Sequence, residues 1–257
     1  METLESIEFY NRLARAFDVM TDWSKRLAHE MPFILETLSH HQARRVLDTA
    51  CGTGWHAISL AQKGYRAAGC DLSPAMVKQA RMNADQLRVD VIFEVADFSQ
   101  LNIFEEDFDA ILCLGNSLPH LLSQEALVDG LRQMRGKLSA GGVLILHNLN
   151  YDLRMKKKPR FFSANGNPHM LVWRFVDYGP DFLTFHTALF ERSASEEAGP
   201  TAWSVQVNST LQRPLLRQDL DRALMEAGFR SVEHFGGLDG SPYEPGKSGD
   251  LVIVAGM

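Results

Sequence analysis

Cysteine is scarce. The 257-residue chain holds three, Cys51, Cys70 and Cys113, with no C-x-x-C spacing. That pattern excludes a disulfide scaffold and a zinc ribbon, and it fits a reducing compartment. No H-E-x-x-H and no His/Cys cluster at ligand spacing occurs, so no metal is expected. Long apolar runs are missing as well. The longest, near Val143–Leu146 and Leu251–Ala255, fall far short of the ~20 residues that cross a bilayer. The opening Met1-Glu2-Thr3-Leu4-Glu5 lacks the basic start and apolar stretch of a signal peptide. A cytoplasmic chain without membrane contact is expected. Basic charge is in deficit: the formal net charge is −6, which weighs against a nucleic-acid platform. One basic run, Lys156-Lys157-Lys158-Pro159-Arg160, reads either as a solvated loop or as a seat for an anion. Repeats and low-complexity tracts are absent, which sets aside solenoids and disordered tails.

What is present is ordinary globular composition, 45% apolar and 23% charged. Residues 4–38 place Leu4, Ile7, Leu13, Phe17, Leu27, Met31, Ile34, Leu35 and Leu38 at helical spacing, which predicts one or two helices. Arg44–Asp48 then reads as a short strand ending in an acid, followed by a glycine turn and a helix from Trp55 to about Gln62. The pattern recurs. Tyr65–Cys70 is a strand before Asp71, and Ser73-Pro74 opens a helix with a serine cap and proline in its first turn. Strands are predicted at Val89–Val95, Phe108–Leu114 and Val143–Leu149, with a helix at Gln124–Leu138. Strands alternating with helices predict an α/β fold, a doubly wound and mostly parallel sheet covered on both faces. From about Asn150 to Pro214 the period changes. Met170–Val176, Phe182–Phe190 and Trp203–Leu211 read as strands without helices between them, an antiparallel β subdomain inserted after the fifth strand. Arg217–Ala227 is a helix closed by Gly228, and Arg230–Phe235 and Leu251–Ala255 are the last strands. The expected organisation is a helical lid over 1–40, a cofactor-binding domain over 41–149 and 215–257, and a substrate subdomain over 150–214.

The informative segment is Val46-Leu47-Asp48-Thr49-Ala50-Cys51-Gly52-Thr53-Gly54-Trp55. A glycine turn between the first strand and first helix of such a sheet lets a ligand approach the backbone, and open sheets bind ligands beyond their carboxyl ends. The third glycine of the dinucleotide fingerprint is missing: Trp55, Ala57 and Ile58 follow Gly54. That lowers the nicotinamide reading. Spacing adds weight to an adenosine site. Asp71 ends the second strand, where a carboxylate can take both hydroxyls of a ribose. Asp97-Phe98 ends the third, an acid for an adenine amino group and a ring to lie against it. Leu114-Gly115-Asn116 ends the fourth.

Three stretches, Arg44–Gly54, Cys70–Met76 and Phe108–Leu121, with Asn150-Tyr151-Asp152 after the fifth strand, resemble the class I S-adenosylmethionine-dependent methyltransferases. The nearer resemblance is to the glycine/sarcosine N-methyltransferase branch, through the run C-L-G-N-S-L-P-H-L. The resemblance implies a seven-stranded Rossmann-like domain, S-adenosylmethionine as cofactor and S-adenosylhomocysteine as product. It further implies Arg26 on the cofactor's carboxylate, Ala50, Gly52 and Gly54 along its methionine part, Asp71 with Leu72 at the ribose, Met76 flanking adenine, Asp97 and Phe98 on adenine, and the Leu114 carbonyl on the amino group. Asn116 and His120 would border a small-molecule acceptor. Relatives with a similar F-Y-x-x-L-A start close that segment over the cofactor, which would bring Tyr10 to the methyl group, where an aromatic face favours the sulfonium's charge.

The expected reaction is in-line methyl transfer to a small molecule, with an amine nitrogen as acceptor. It requires alignment and desolvation more than a protein nucleophile. His120 is the candidate base or positioning group, Asn116 an orienting group, and Tyr10 the third candidate catalytic residue. One position departs from the branch: where the glycine enzyme carries an arginine for the substrate carboxylate, His147-Asn148-Leu149-Asn150-Tyr151 has Leu149. A buried carboxylate without its cation is costly. Glycine therefore fits poorly unless Arg154, Lys156 or Arg174 substitutes. Trp173, Phe175, Tyr178 and Trp203 are read either as a second wall of the site or as the subdomain's own core. His147, His169 and His186 fall in predicted strands, and His56 faces solvent or cofactor. Two further readings stay open: transfer to oxygen or another acceptor, and a module that binds the cofactor without turnover. Oligomeric state is not read from the sequence.

Overall fold

The computed structural model describes residues 3–192 and 203–257. In chain order they form α1 (Ser6–Met20), α2 (Trp23–His40), β1 (Arg45–Asp48), α3 (Trp55–Gln62), β2 (Arg66–Asp71), α4 (Pro74–Leu87), β3 (Ile92–Val95), β4 (Phe108–Cys113), α5 (Gln124–Gly136), β5 (Leu138–Leu149), α6 (Tyr151–Lys157), β6 (Phe161–Asn167), β7 (Met170–Tyr178), β8 (Leu183–Arg192), β9 (Trp203–Gln212), α7 (Arg217–Ala227), β10 (Ser231–Phe235) and β11 (Asp250–Gly256). Seven strands make one sheet in the order β10-β11-β5-β4-β1-β2-β3, and four make a second in the order β6-β7-β8-β9. In the large sheet β11 is antiparallel to both neighbours, β5 and β10, while β1 to β5 run parallel.

The middles of the central strands, Val46–Leu47, Ala110–Cys113 and Val143–Leu146, are continuously apolar because both faces are covered. Ile111, Leu144, Leu146 and Ile253 pack under α5 and α7 with Leu127, Leu131, Leu220 and Leu224. Their sequence neighbours Ala110, Leu112, Val143, Ile145 and Val252 point the other way, onto Met31, Phe33, Ile34 and Leu38 of α2. So α2 is part of the layer that covers the large sheet, whereas α1 leaves that layer. Capping follows the sequence: the side chains of Asp22, Ser73, Ser123 and Asn150 accept backbone N–H groups at the starts of α2, α4, α5 and α6.

The second sheet is an antiparallel meander, and β6 and α6 were not expected from the sequence. Its inner face meets α1: Val172 and Leu189 join Phe9, Leu13 and Met76 in one buried cluster. Its outer face carries several aromatics. Phe161 stacks on Trp173 at 5.4 Å, Trp173 lies 5.5 Å from Phe175, and Trp203 is 48% exposed. Alternation along β7 and β9 points these three residues away from the large sheet, so Trp173, Phe175 and Trp203 are not a wall of the site. Tyr178 has inner parity, and its hydroxyl donates to the Pro159 carbonyl at 3.0 Å. His169 sits in the β6–β7 turn rather than in a strand.

Candidate active site

The carboxyl ends of β1, β2, β3 and β4 converge where α1 crosses. The turn after β1 contains Gly52 and Gly54, both in the left-handed region. They serve different ends. A side chain at Gly54 would stand 2.7 Å from Phe93 and 2.9 Å from Ala80, so this glycine lets α3 and α4 close on the sheet. Gly52 faces Phe17 of α1, whose ring would lie 3.3 Å from a β-carbon there. The Asp71 carboxylate, at the end of β2, accepts the N–H of Gly52 on one oxygen and that of Ser73 on the other, each at 2.9 Å. Burial pushes its pKa up and the two N–H groups pull it back. Leu72 beside it is exposed. At the end of β3, one Asp97 oxygen accepts the N–H (2.7 Å) and hydroxyl (2.6 Å) of Ser99, and Phe98 packs on Gly130 of α5. After β4 the Leu114 carbonyl accepts the Ser117 hydroxyl at 2.8 Å, which leaves it a second lone pair. Met76 is sealed beneath α1 with no exposed surface, so it offers no face to a ligand while α1 is docked.

A buried ionic relay lies beneath the first turn. Nε of Arg26 donates to Glu30 Oε1 at 2.9 Å, and Glu30 Oε2 meets His56 Nε2 at 2.7 Å. Burial alone would raise the Glu30 pKa, but the His56 hydrogen bond and the Arg26 charge hold it down at about 2. Burial lowers the His56 pKa, so a neutral His56 donates Nε2–H to an ionised Glu30. This clamp fixes the Arg26 stem by way of Nε, and Trp23 lies 5.0 Å from its guanidinium carbon. Its Nη2 is then directed at the end of β4, 3.7 Å from where a β-carbon of Gly115 would stand. Asp48, 2% exposed at the end of β1, has its pKa raised to about 7, chiefly by burial. The Ala50 N–H at 3.4 Å is a weak partner for it.

The third group joins both sheets. The Tyr10 hydroxyl is 2.9 Å from Nε2 of His120, which sits in a short 3₁₀ turn, Leu118–His120. Gln212 of β9 approaches the same nitrogen at 3.3 Å, and its Oε1 accepts the Tyr151 hydroxyl at 3.4 Å. Asn116, with left-handed backbone, donates to Tyr151 at 3.0 Å and accepts the Leu149 N–H at 3.0 Å. Both ends of the Asn116 amide thus have partners. Burial lowers the His120 pKa to about 4, partly offset by the Leu211 carbonyl. Burial and the nearby Asp71 charge raise that of Tyr10. The imidazole is therefore neutral and the phenol protonated at neutral pH; in the tautomer with the ring proton on Nδ1, toward the Leu211 carbonyl, Nε2 accepts the Tyr10 O–H.

Three comparisons bear on this geometry. A methyltransferase domain model matches residues 46–142, from β1 into β5. The glycine/sarcosine N-methyltransferase of Parasynechococcus marenigrum (strain WH8102) is 31% identical over 233 residues, 89% of this chain and 78% of that one. This chain belongs to that family. The family's protein from Aphanothece halophytica is likewise 31% identical, over 89% of this chain and 82% of its own length. An S-adenosylmethionine-dependent methyltransferase from Clostridium acetobutylicum shares the fold with a TM-score of 0.79 at 19% identity, covering 96% of this chain and 98% of that one. The protein is an S-adenosylmethionine-dependent methyltransferase with a Rossmann-like domain.

The donor set fits that cofactor. A diol acceptor (Asp71), an acid with an oxygen to spare (Asp97) and a carbonyl with a spare lone pair (Leu114) border the same sheet edge. A clamped guanidinium, Arg26, lies across from Gly115, and any side chain at Gly115 would project into the space before it. Sequence reasoning missed Asp48 as a strongly perturbed group and Tyr151 as the partner of Asn116, and it missed Glu30 and Gln212 altogether. Asp48 had a signal, an acid ending a strand whose neighbours are all apolar. Glu30 and Gln212 carried none, because their roles depend on partners far away in the chain. Among the described residues no helix is long and apolar enough to cross a membrane.

Proposed function

We propose that this methyltransferase acts on the nitrogen of a small amine, and that Tyr10 aligns that nitrogen. The Tyr10–His120 pair carries the reading. His120, neutral and with Nε2 filled by the phenol, is not placed to strip a proton from an alcohol. An amine needs no such base during transfer once it arrives uncharged, because its lone pair is the nucleophile. The relatives are named for methylation of glycine and sarcosine nitrogen, which agrees with this choice.

S-adenosylmethionine, when bound, supplies an electrophilic methyl group on a sulfonium. The chain's own part is binding, orientation and exclusion of water. Asp71, Asp97, the Leu114 carbonyl and Arg26 hold the cofactor. Tyr10 donates its O–H to Nε2 of His120, so its oxygen lone pairs are free to accept an N–H of the acceptor and turn the nitrogen lone pair toward the methyl group. Asn116 fixes the loop after β4 that borders the acceptor. α1 covers the site: Phe17 lies over Gly52, Asn11 accepts the Ser73 hydroxyl at 2.7 Å, and Asp18 accepts that of Thr53 at 2.6 Å. The test is an acceptor screen with the intact chain, amines against alcohols and thiols of matched size, read by S-adenosylhomocysteine release. Release with amines alone is the expected result. Release with alcohols or thiols instead would refute it.

A further inference from the structure

Arg26 is gripped from behind by two buried groups. Glu30 stands one turn along α2, and His56 lies in the first turn of α3. Their side chains are 9% and 4% exposed. Nε of Arg26 donates to one Glu30 oxygen at 2.9 Å, and Nε2 of His56 lies 2.7 Å from the other. Trp23 closes the box, 5.0 Å from the guanidinium carbon and edge-to-face with His56 at 5.6 Å.

Buried charges of this kind add little stability over apolar side chains of the same size. Packing of α2 on α3 therefore does not account for them. What they do is restrict an arginine. A free arginine loses much rotamer freedom when it meets an anion, and a bond to Nε removes that freedom beforehand. The same bond leaves both Nη groups for a carboxylate, which takes a guanidinium in bidentate fashion. Among the described residues the Nε bond is the one side-chain hydrogen bond of Arg26. Its side chain keeps 23% of its surface, and Nη2 faces Gly115 at the end of β4. The charges also balance. Arg26 and Glu30 sum to zero, as do the carboxylate and ammonium of the cofactor's amino-acid end, so their meeting buries no net charge. The groups assigned to adenosine are fixed independently: Asp71 by the N–H groups of Gly52 and Ser73, Asp97 by Ser99.

We propose that Glu30 and His56 are positioning residues for the cofactor's amino-acid end. They hold Arg26 in the conformation that meets the carboxylate, and so set how strongly the enzyme favours the whole cofactor over its adenosine part. This rests on the assignment of Arg26 to that carboxylate.

The experiment titrates the intact protein by calorimetry with S-adenosylhomocysteine and with 5′-methylthioadenosine, which keeps the adenosine and sulfur and lacks the amino-acid end. The variants are E30L, E30Q, H56L, R26A and the double variant R26A/E30L. E30L should weaken S-adenosylhomocysteine about tenfold or more and leave 5′-methylthioadenosine within about twofold. E30Q keeps an oxygen for the Arg26 Nε–H and should restore most of the loss. H56L should fall between E30Q and E30L. In steady-state assays E30L should raise KM for S-adenosylmethionine and leave kcat within about threefold. In the R26A background E30L should cost little more, because its effect passes through Arg26. Equal losses for the two ligands would overturn the proposal, since a general disturbance of the fold weakens both. So would an unchanged S-adenosylhomocysteine affinity in E30L, or an E30L loss undiminished by R26A. If circular dichroism shows E30L unfolded, H56L decides by the same comparison of ligands. If R26A leaves S-adenosylhomocysteine affinity unchanged, the assignment of Arg26 fails and this proposal falls with it; if R26A weakens it and neither E30L nor H56L does, this proposal alone fails.

Discussion

The hydroxyl of Tyr10 lies 2.9 Å from Nε2 of His120, joining two residues 110 positions apart. The contact ties α1 to the loop after β4 and sets the direction of the phenol's lone pairs. Tyr10→Phe removes that oxygen and leaves the ring. It should lower kcat/KM about 10- to 100-fold, as expected for one lost hydrogen bond to a reacting group. S-adenosylhomocysteine affinity should change by less than about twofold, since no cofactor contact is removed. Steady-state rates beside calorimetry check both.

The pH dependence separates a base from a positioning group. His120 is neutral above about 4, so no imidazole titration should appear in the rate near neutral pH. The rate should rise with pH as the acceptor's own ammonium loses its proton. The inflection should move when an acceptor of different pKa is used. An inflection fixed near 6.5 for every acceptor would make His120 the base.

Asp71→Ala removes the carboxylate proposed for the ribose hydroxyls and leaves the N–H groups of Gly52 and Ser73 without their partner. Cofactor affinity should fall by ~1.5–3 kcal/mol, the value of charge-assisted hydrogen bonds. Titration with S-adenosylmethionine reads the loss. Unchanged affinity would remove Asp71 from the site.

Asp48 makes stability depend on pH. Its folded pKa of about 7 stands above the ordinary value of 3.8, so the folded state holds a proton that the unfolded chain releases. The stability this group contributes is then greatest below about 4, falls as pH rises toward 7, and levels off above it. Asp48→Asn should flatten that slope and stabilise the protein at pH 8 by up to ~4 kcal/mol, the full linkage across the window. Denaturant unfolding at pH 5 and pH 8 checks it.

Gly54→Ala should destabilise more than Gly64→Ala. Both positions have positive φ, which costs an L-residue ~1–2 kcal/mol. Only at Gly54 does the added carbon also meet Phe93 and Ala80 inside 3 Å, whereas Gly64 faces open space. Overpacking of that kind adds ~1–3 kcal/mol. Thermal unfolding of the two variants gives the difference.

The large sheet was legible because its strands read as short apolar runs alternating with helical stretches, and some of those helices open on a cap. Ser73-Pro74 is one such signal, and Ser73 caps α4 at 3.2 Å. β6 was not legible: Phe161–Asn167 reads F-F-S-A-N-G-N, too polar for a strand, and pairing with β7 overrides its composition. α6 is a single short helix held by its Asn150 cap. Trp173, Phe175 and Trp203 read by type as a site wall or as subdomain core, but strand alternation puts them outside. Of the site, the strand-end acids were legible, since the fold class fixes where strand ends go. The Arg26–Glu30–His56 relay and the Tyr10–His120 contact were not, because each is a relation between elements.

The most direct measurement is the bond formed. S-adenosylmethionine labelled with ¹³C in its methyl group is incubated with the wild-type protein and ¹⁵N-glycine or ¹⁵N-sarcosine, and the product is examined by NMR. A direct ¹³C–¹⁵N coupling on the new methyl group, in step with S-adenosylhomocysteine release, is the predicted result. Tight cofactor binding with no such coupling, or a new methyl signal without nitrogen coupling, would contradict N-methylation of a small amine.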